Sequence, residues 1–326
     1  MRSVIGQPSI KKRLERVFTG ASGHSYLVLG ASGMGKHTIA RAMAKALLCF
    51  QPDAKGACGD CPSCRYVEAQ SHPDYHEVLI PPKDKNIKVE TIRSRVCSDA
   101  SIYPQISRRK VYLIDGNGLN EQGQNALLKT IEEPPGDLVF LLMGDELSRF
   151  LPTVISRSEK LVLEPYTESE LISILCSQTE ISQNEAHIVA RFSDGIPGRA
   201  LALAADRDFI VLRSEAVELF FSLFRMRVSD RLTRAYSFFD ANKDRVHELL
   251  SVWLLVTEDL TVLRTVQDKS LVMNRDLMEK MIVFLRTYPW SGETGNKKYS
   301  LILQTLSALK ANCSYESTIC SLLISL

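Results

Sequence analysis

The stretch HSYLVLGASGMGKHTIARAMAKALLC, residues 24–49, decides the fold of this chain. A β-prone run leads into Gly30-x-x-x-x-Gly35-Lys36, and a helical pattern follows. In that order, backbone N–H groups and the helix dipole converge on one anion. The stretch predicts a phosphate-binding loop formed by Gly30, Gly33, Gly35 and Lys36. The alternative is a glycine-rich turn without a ligand, and both interpretations predict the same local fold.

The residues that would hold magnesium depart from the usual pattern. His37 stands where a hydroxyl is expected, and imidazole is a poor ligand for a hard ion such as Mg²⁺. Thr38 is turned by about 100° along the helix, so it would substitute only in a shifted loop. Asp115 ends the run KVYLID and could support magnesium, but Gly116 occupies the usual position of a general base. We expect binding of ATP and Mg²⁺ to remain open, through Lys36, Thr38 and Asp115, and hydrolysis to be impaired.

Short β-rich runs alternate with helical segments between residue 24 and about residue 163. This alternation is typical of βαβ units and predicts a parallel sheet. The strand signal ends after Pro165, and the remaining pattern is helical. We predict an α/β P-loop domain at 1–165, a small helical domain at 166–208 and an all-α bundle at 209–326.

Four of the eight cysteines fall in the segment CFQPDAKGACGDCPSC. Their spacing, Cys49-x8-Cys58-x2-Cys61-x2-Cys64, is typical of a tetrahedral zinc site in a reducing compartment. With four thiolates no coordination position stays open, which favours a structural Zn²⁺ over a catalytic one. A redox-active dithiol is the alternative.

Composition excludes several classes of protein. The chain has 326 residues, 45% of them hydrophobic and 24% charged, and a net charge of +2. No apolar run reaches the ~20 residues of a membrane span, and no export signal is evident, so we expect a cytoplasmic protein without a membrane partner. The near-zero net charge argues against an autonomous nucleic-acid-binding protein. The basic run 108–110 precedes a strand and is interpreted as a solvated edge.

Several motifs occur in an order that resembles the bacterial clamp-loader ATPases of the AAA+ class. They are SVIGQ, GASGMGK, the cysteine cluster, HPDYHEV, KVYLID, NALLKTIEEPP and TVISRS. The resemblance covers residues 1 to about 205, and only helical character agrees beyond. It implies an AAA+ α/β domain with a helical lid and a C-terminal collar that joins five subunits into a ring. Such a ring, with motor and clamp-opening subunits as partners, uses ATP to place a sliding clamp on primed DNA.

The resemblance also implies a role for Arg157. The family's Ser-Arg-Cys motif corresponds to Ser156-Arg157-Ser158, with serine in place of cysteine. Arg157 would be an arginine finger that reaches the ATP site of the adjacent subunit, where a guanidinium stabilises charge on the γ phosphate. From the residues alone, a surface salt bridge at a helix end is the alternative.

Four positions depart from the hydrolytic apparatus that the resemblance implies. They are His37, Gly116, Gly144 in place of a polar sensor, and Gly198 near the expected lid arginine, with Arg199 one position out of phase. These departures favour a non-motor subunit. Two alternatives remain, namely an active ATPase motor subunit and a zinc-dependent nucleic-acid-binding module.

Overall fold

The computed structural model describes residues 4–19, 23–266, 268 and 271–326. The strands are β1 (Ser25–Leu29), β2 (Tyr75–Val78), β3 (Lys110–Asp115), β4 (Leu138–Gly144) and β5 (Glu159–Val162). The helices are α1 (Pro8–Phe18), α2 (Lys36–Leu48), α3 (Pro62–Glu68), α4 (Val89–Ile92), α5 (Glu121–Glu132), α6 (Pro152–Ile155), α7 (Glu168–Gln178), α8 (Gln183–Phe192), α9 (Pro197–Ala205), α10 (Phe209–Leu223), α11 (Val228–Asp230), α12 (Tyr236–Ala241), α13 (Val246–Thr265), α14 (Met278–Thr287), α15 (Gly292–Lys310) and α16 (Tyr315–Ser325).

The five strands form one parallel sheet in the order β2-β3-β4-β1-β5. Strand β1 therefore lies between β4 and β5, and β4 lies between β3 and β1. Parallel strands end at the same edge, so the loops that follow β1, β4 and β3 lie side by side. Any ligand site built from these loops is placed by the strand order alone.

The central strands are buried along their whole length, which explains their continuous apolar sequences. Alternate residues of β1 supply two cores on opposite faces of the sheet. Tyr26 and Val28 pack with α1 and α2, whereas Leu27 and Leu29 pack with residues of α5 and β4. The helix α2 begins at the glycine loop and is held against the sheet by Ile39. This packing fixes the position of the loop.

The chain divides into two compact units. The first contains Met1–Glu180 and Ser193–Ala202, and the second contains Ile181–Phe192 and Leu203–Leu326. The predicted fold class is confirmed, because a parallel α/β sheet is followed by a helical C-terminal region. The three-part division at residues 165 and 208 stays a prediction. No helix among the described residues has the length and apolar character needed to cross a membrane.

The second unit is built around aromatic side chains. Trp253 on α13 is fully buried and donates from Nε1 to the carbonyl oxygen of Ala216 at 2.8 Å. Its ring packs edge-on against Phe239, with a centroid distance of 4.9 Å, and also contacts Phe220. Paired aromatic rings and one satisfied indole N–H are typical of a core rather than a binding surface.

Candidate nucleotide site and cysteine cluster

The loop between β1 and α2 has the backbone of a phosphate-binding loop. Gly33 and Gly35 adopt positive φ angles of 80° and 87°, which residues with a side chain rarely adopt, and Gly35 precedes the first turn of α2. The N–H of Gly30 donates to the carbonyl oxygen of Gly144 at 3.2 Å and ties the loop to β4. The loop borders a cavity of about 670 Å³. The residues lining it include Ser32, Lys36, His37, Thr38, Asp115, Asp145 and Tyr166.

The ammonium group of Lys36 is already engaged by the chain itself. Its Nζ donates to Asp145 Oδ1 at 2.6 Å, to the Gly30 oxygen at 2.7 Å and to the Ala31 oxygen at 3.0 Å. Burial alone would raise the pKa of Asp145, but the hydrogen bond and the positive charge of Lys36 outweigh it and lower that pKa. The lysine expected to bind phosphate therefore binds a carboxylate in this structure.

Asp115 lies where the sequence predicted it, at the end of β3 and beside the cavity. Its Oδ1 accepts from the N–H of Asn117 at 3.1 Å and caps a short 3₁₀ turn. Burial, followed by the nearby charge of Asp145, raises the pKa of Asp115. Asn117 in turn accepts the N–H of Asp145 at 3.0 Å, so β3 and β4 are cross-linked at the edge of the site.

His37 and Thr38 both line the cavity. His37 Nε2 lies 3.3 Å from Oε2 of Glu77, a residue of β2. Thr38 is exposed. That His37 removes the usual magnesium ligand, and that Thr38 could replace it only in a shifted loop, both stay predictions.

Phe150 fills the space of two side chains that the sequence lacks. A Cβ atom on Gly116 would lie 2.4 Å from Phe150 Cζ, and one on Gly144 would lie 2.3 Å from Phe150 Cε2. Phe150 is only 4% exposed and belongs to the core on this face of the sheet. One aromatic ring therefore occupies the side-chain space at both positions where the sequence predicted that a general base and a polar sensor are missing.

The lid segment lies directly on the glycine loop. The N–H of Gly198 donates to the oxygen of Gly33 at 2.9 Å, and a Cβ on Gly198 would lie 2.8 Å from Gly33 Cα. No side chain fits there without a backbone shift. Arg199 pairs with Asp194, and Arg199 is not among the described residues that line the cavity.

Arg157 follows α6 on the surface of the first unit. Its Nη2 lies 2.6 Å from Glu132 Oε1, and its Nη1 donates to the Thr153 oxygen at 3.0 Å. The guanidinium side chain is 37% exposed. The salt bridge inferred as the alternative is thus present, and because it is partly exposed it does not prevent release of the guanidinium. The arginine-finger role stays a prediction.

The four clustered cysteines come together as the sequence predicted. Cys49 ends α2, Cys61 precedes α3 and Cys64 lies within it, while Cys58 is brought in by the intervening loop. Their sulfur atoms all lie within 4.8 Å of one another. The Cys49–Cys58, Cys49–Cys61 and Cys58–Cys64 sulfur distances are 3.5, 3.8 and 4.0 Å. A tetrahedral ion with bonds of about 2.3 Å requires sulfur separations of about 3.8 Å, so the residues fit a metal ion.

The pKa values of two thiols of the cluster are shifted in opposite directions. Backbone N–H groups of Cys61 and Asp60 lower the pKa of Cys58 to about 6. Burial raises the pKa of Cys49, although the N–H groups of Cys58 and Gln51 oppose the shift. A bound cation would supply the positive charge that holds all four sulfurs as thiolates.

A buried polar network supports the cysteine cluster from below. His72 Nδ1 accepts from the N–H of Asp74 at 3.0 Å, and its Nε2 lies 3.0 Å from Ser63 Oγ and 3.1 Å from Ser107 Oγ. Both hydroxyls donate to the oxygen of Leu48, which immediately precedes Cys49. This network links the end of α2 to the start of α3 through side chains that are not members of the cysteine cluster.

Comparison with known proteins is consistent with these observations. Residues 6–167 match the family described as DNA polymerase III, delta subunit. The DNA polymerase III subunit delta′ of Escherichia coli is 34% identical over 199 residues, which cover 60% of this chain and 59% of that protein. In this matched region the chain is delta-prime-like. The resemblance predicted from its motifs is confirmed.

Two further relatives show how far the similarity extends. The subunit delta′ of Pseudomonas aeruginosa is 42% identical over 135 residues, 41% of each chain. The subunit tau/gamma of DNA polymerase III from Haemophilus influenzae is 34% identical over 205 residues, 60% of this chain and 28% of that protein. In each of these alignments the matched region spans less than two thirds of the relative's length.

Sequence reasoning missed Asp145, Asn117 and Phe150. Asp145 follows the run LVFLLMG at the same sheet edge as the glycine loop, so its position after a predicted strand was an available signal. Asn117 lies two residues beyond Asp115 and offered the same signal. Phe150 gave none, because one aromatic residue in a loop does not reveal which glycines it covers.

Proposed function

We propose that this chain is a non-motor subunit of a multi-subunit clamp loader that helps to place a sliding clamp on primed DNA during replication. Its relatives named as delta′ and tau/gamma subunits of DNA polymerase III support membership in such an assembly. The observation that carries the non-motor role is the ring of Phe150, which occupies the side-chain space at Gly116 and Gly144. A site in this form lacks room for a general base and a polar sensor at those positions.

The proposed contribution of the chain to catalysis is Arg157. Its Nη2 is paired with one surface carboxylate, Glu132, which is 44% exposed. Exchange of an exposed carboxylate for a γ phosphate costs little, because partly exposed ion pairs contribute about 0–1 kcal/mol. In this proposal Glu132 holds the guanidinium in place until the neighbouring subunit supplies a nucleotide. The partners would be motor and clamp-opening subunits, with five subunits in the ring.

We further propose that the cysteine cluster holds a structural zinc ion. Four soft thiolate ligands and the tetrahedral spacing of the sulfurs favour zinc over magnesium or calcium. The ion would be held by Cys49, Cys58, Cys61 and Cys64, and it would join the end of α2 to α3. The proposal also includes a helical lid at 166–208 and a collar at 209–326, and the collar would join this chain to the other subunits of the ring.

Reconstitution tests the proposed role. The full chain, or its Arg157→Ala variant, is assembled with candidate motor and clamp-opening subunits, and DNA-stimulated ATP hydrolysis and clamp loading are measured. Arginine fingers contribute roughly 10³-fold or more to turnover, so the contribution of one neighbouring site should disappear while the other sites continue. Arg157→Lys should not restore it, because an ammonium lacks the planar fork of a guanidinium.

A matched control separates the finger from general loss of surface charge. Arg13 forms a comparable exposed pair with Glu159 at 3.2 Å, so Arg13→Ala removes the same charge and one ion pair. That variant should assemble and hydrolyse ATP as the unaltered complex does. Full ATPase and clamp loading by an assembled Arg157→Ala complex would refute the finger. ATP turnover by the isolated chain that Lys36→Ala abolishes would instead support a motor subunit.

A further inference from the structure

The ammonium group of Lys36 has no donor left for a phosphate. An ammonium carries three protons, and the three acceptors of Lys36 are all oxygens of this chain at 2.6–3.0 Å. Two are carbonyl groups of the glycine loop, and the third is the carboxylate of Asp145. The carboxylate supplies the anion that a nucleotide phosphate would otherwise supply.

We propose that Asp145 is a specificity-determining residue, an intramolecular anion that excludes nucleoside polyphosphates from the phosphate loop of this chain. The proposal deepens the proposed function, and it rests on that function for the assignment of the cavity as a nucleotide pocket. It concerns the chain's own pocket and does not involve Arg157.

Asp145 is held in position by contacts of its own backbone and of its neighbours. Its N–H donates to Asn117 Oδ1 at 3.0 Å, and Asn117 is itself hydrogen-bonded to Asp115. The preceding residue is Gly144, at the end of β4. The ring of Phe150 packs against it in the space that a side chain would occupy. The carboxylate therefore lies directly after β4, where these contacts hold it beside Lys36.

The charge around the cavity also opposes a polyphosphate. Among the described residues that line it are one lysine, Lys36, and two aspartates, Asp115 and Asp145. Asp115 alone would be balanced by Lys36. The second carboxylate gives Lys36, Asp115 and Asp145 together a net negative charge, so a triphosphate would meet like charge at short range. The glycine loop itself keeps the geometry that suits a phosphate.

The loop and the rest of the cavity are otherwise intact. The cavity of about 670 Å³ is also lined by the apolar residues Val4, Ile5 and Leu201 and by Tyr166. Neutralisation of one carboxylate should therefore be enough to make Lys36 available without rebuilding the pocket. Replacement of Asp145 by asparagine keeps the shape of the side chain and the backbone hydrogen bond to Asn117.

Binding to the purified full chain tests the proposal. Mg-ATP, and separately inorganic tripolyphosphate, are titrated into the unaltered protein and into Asp145→Asn by isothermal calorimetry. We expect Asp145→Asn to bind both at least about tenfold more tightly than the unaltered protein, because an opposing charge is removed and Lys36 is released. A Lys36→Met/Asp145→Asn double variant should lose this gain.

Glu146→Gln is the matched control. It removes the same charge from the next residue along the chain, whose side chain is exposed. Its affinity should stay within about twofold of the unaltered protein, because Glu146 does not contact Lys36. An equal gain in both variants would overturn the proposal, as would unchanged affinity in a folded Asp145→Asn protein. Tight, Lys36-dependent binding by the unaltered chain would overturn it too.

Two further measurements keep the outcome clear. Circular dichroism establishes folding, and Asp145→Ser is the second variant if the asparagine variant does not fold. The result is independent of the reconstitution experiment, which measures the neighbouring subunit's site through Arg157. A failed affinity gain with a functional Arg157 would refute only the role of Asp145. A gain with an inert Arg157 would refute only the finger.

Discussion

The packing of Phe150 against Gly144 leads to a double-mutant cycle whose sign follows from the structure. An alanine Cβ at position 144 would lie 2.3 Å from Phe150 Cε2 and 2.8 Å from Cζ, whereas its next neighbour, Leu29 Cδ2, would be 3.5 Å away. Carbon atoms in contact are normally 3.5–4.0 Å apart, so the ring must move by about 1 Å. Phe150 is buried, and overpacking of this kind costs about 1–3 kcal/mol.

Removal of the ring should abolish most of the destabilisation caused by the alanine. Phe150→Ala alone is expected to lower the free energy of unfolding by about 3–5 kcal/mol, since a buried aromatic side chain is lost. In that background Gly144→Ala meets only an ordinary contact with Leu29 and should cost less than about 0.5 kcal/mol. The coupling free energy between the two changes is therefore about 1–3 kcal/mol and favours the double variant.

Gly116→Ala is the matched control. Its Cβ would also lie close to Phe150, at 2.4 Å, but it would in addition lie 2.6 Å from the backbone oxygen of Met143. Loss of the ring cannot relieve contact with a backbone atom. Gly116→Ala should therefore remain destabilising by more than about 1 kcal/mol in the Phe150→Ala background.

Hydrogen exchange measured by mass spectrometry in increasing urea reports on the sheet directly, through peptides that contain β1 and β4. Both tryptophans of the chain, Trp253 and Trp290, lie in the second unit, so their fluorescence follows that unit separately. The unfolding transition followed by tryptophan fluorescence should be the same in all variants. Equal costs of Gly144→Ala with and without Phe150 would refute the reasoning, because they would show that the ring does not fill that space.

Three other outcomes are expected. The purified chain should carry one zinc ion by elemental analysis, and Cys61→Ser should lose it and expose segment 49–64 to hydrogen exchange, whereas Cys176→Ser should not. Asp74→Asn should lower the free energy of unfolding by about 2–3 kcal/mol in urea titrations, because the fully buried carboxylate accepts three backbone N–H groups at 2.6–2.9 Å; exposed Asp84→Asn should change it little. Burial lowers the pKa of His72, so on acidification the unfolded state binds a proton before the folded state does. The free energy of unfolding should therefore fall below pH 6.5 by at most about 1.4 kcal/mol per pH unit, and it should fall less in His72→Gln.

The fold could be predicted because its signals are local. The strand, glycine loop and helix of residues 24–49 are contiguous, and the apolar runs of β3 and β4 are long enough to identify as buried strands. The cysteine cluster could be predicted for the same reason, since Cys49 to Cys64 span only sixteen residues. Short sequence separation leaves few alternative arrangements.

The filling of the nucleotide site could not be predicted because its contacts are distant in sequence. Lys36 and its partner Asp145 are 109 residues apart, and no periodicity connects them. The basic run 108–110 shows the same limit. Lys110 was interpreted as part of a solvated edge, but it is 2% exposed and pairs with Asp99 at 3.0 Å. A charge run gives no information about which member has a buried partner.

Two of the departures from a hydrolytic site share one structural cause, the ring of Phe150. Gly116 and Gly144 are two separate departures in the sequence, but one ring occupies the side-chain space at both, so no side chain fits at either position unless Phe150 moves. Even then, the Met143 oxygen excludes a side chain at position 116.

Position 198 is restricted independently, because its backbone lies on Gly33. A glutamate at 116 or an arginine at 198 would each disturb packing before contributing to catalysis. If the proposed non-motor role is right, steric exclusion at these three positions is the physical reason that single substitutions should not create a hydrolytic site in this chain.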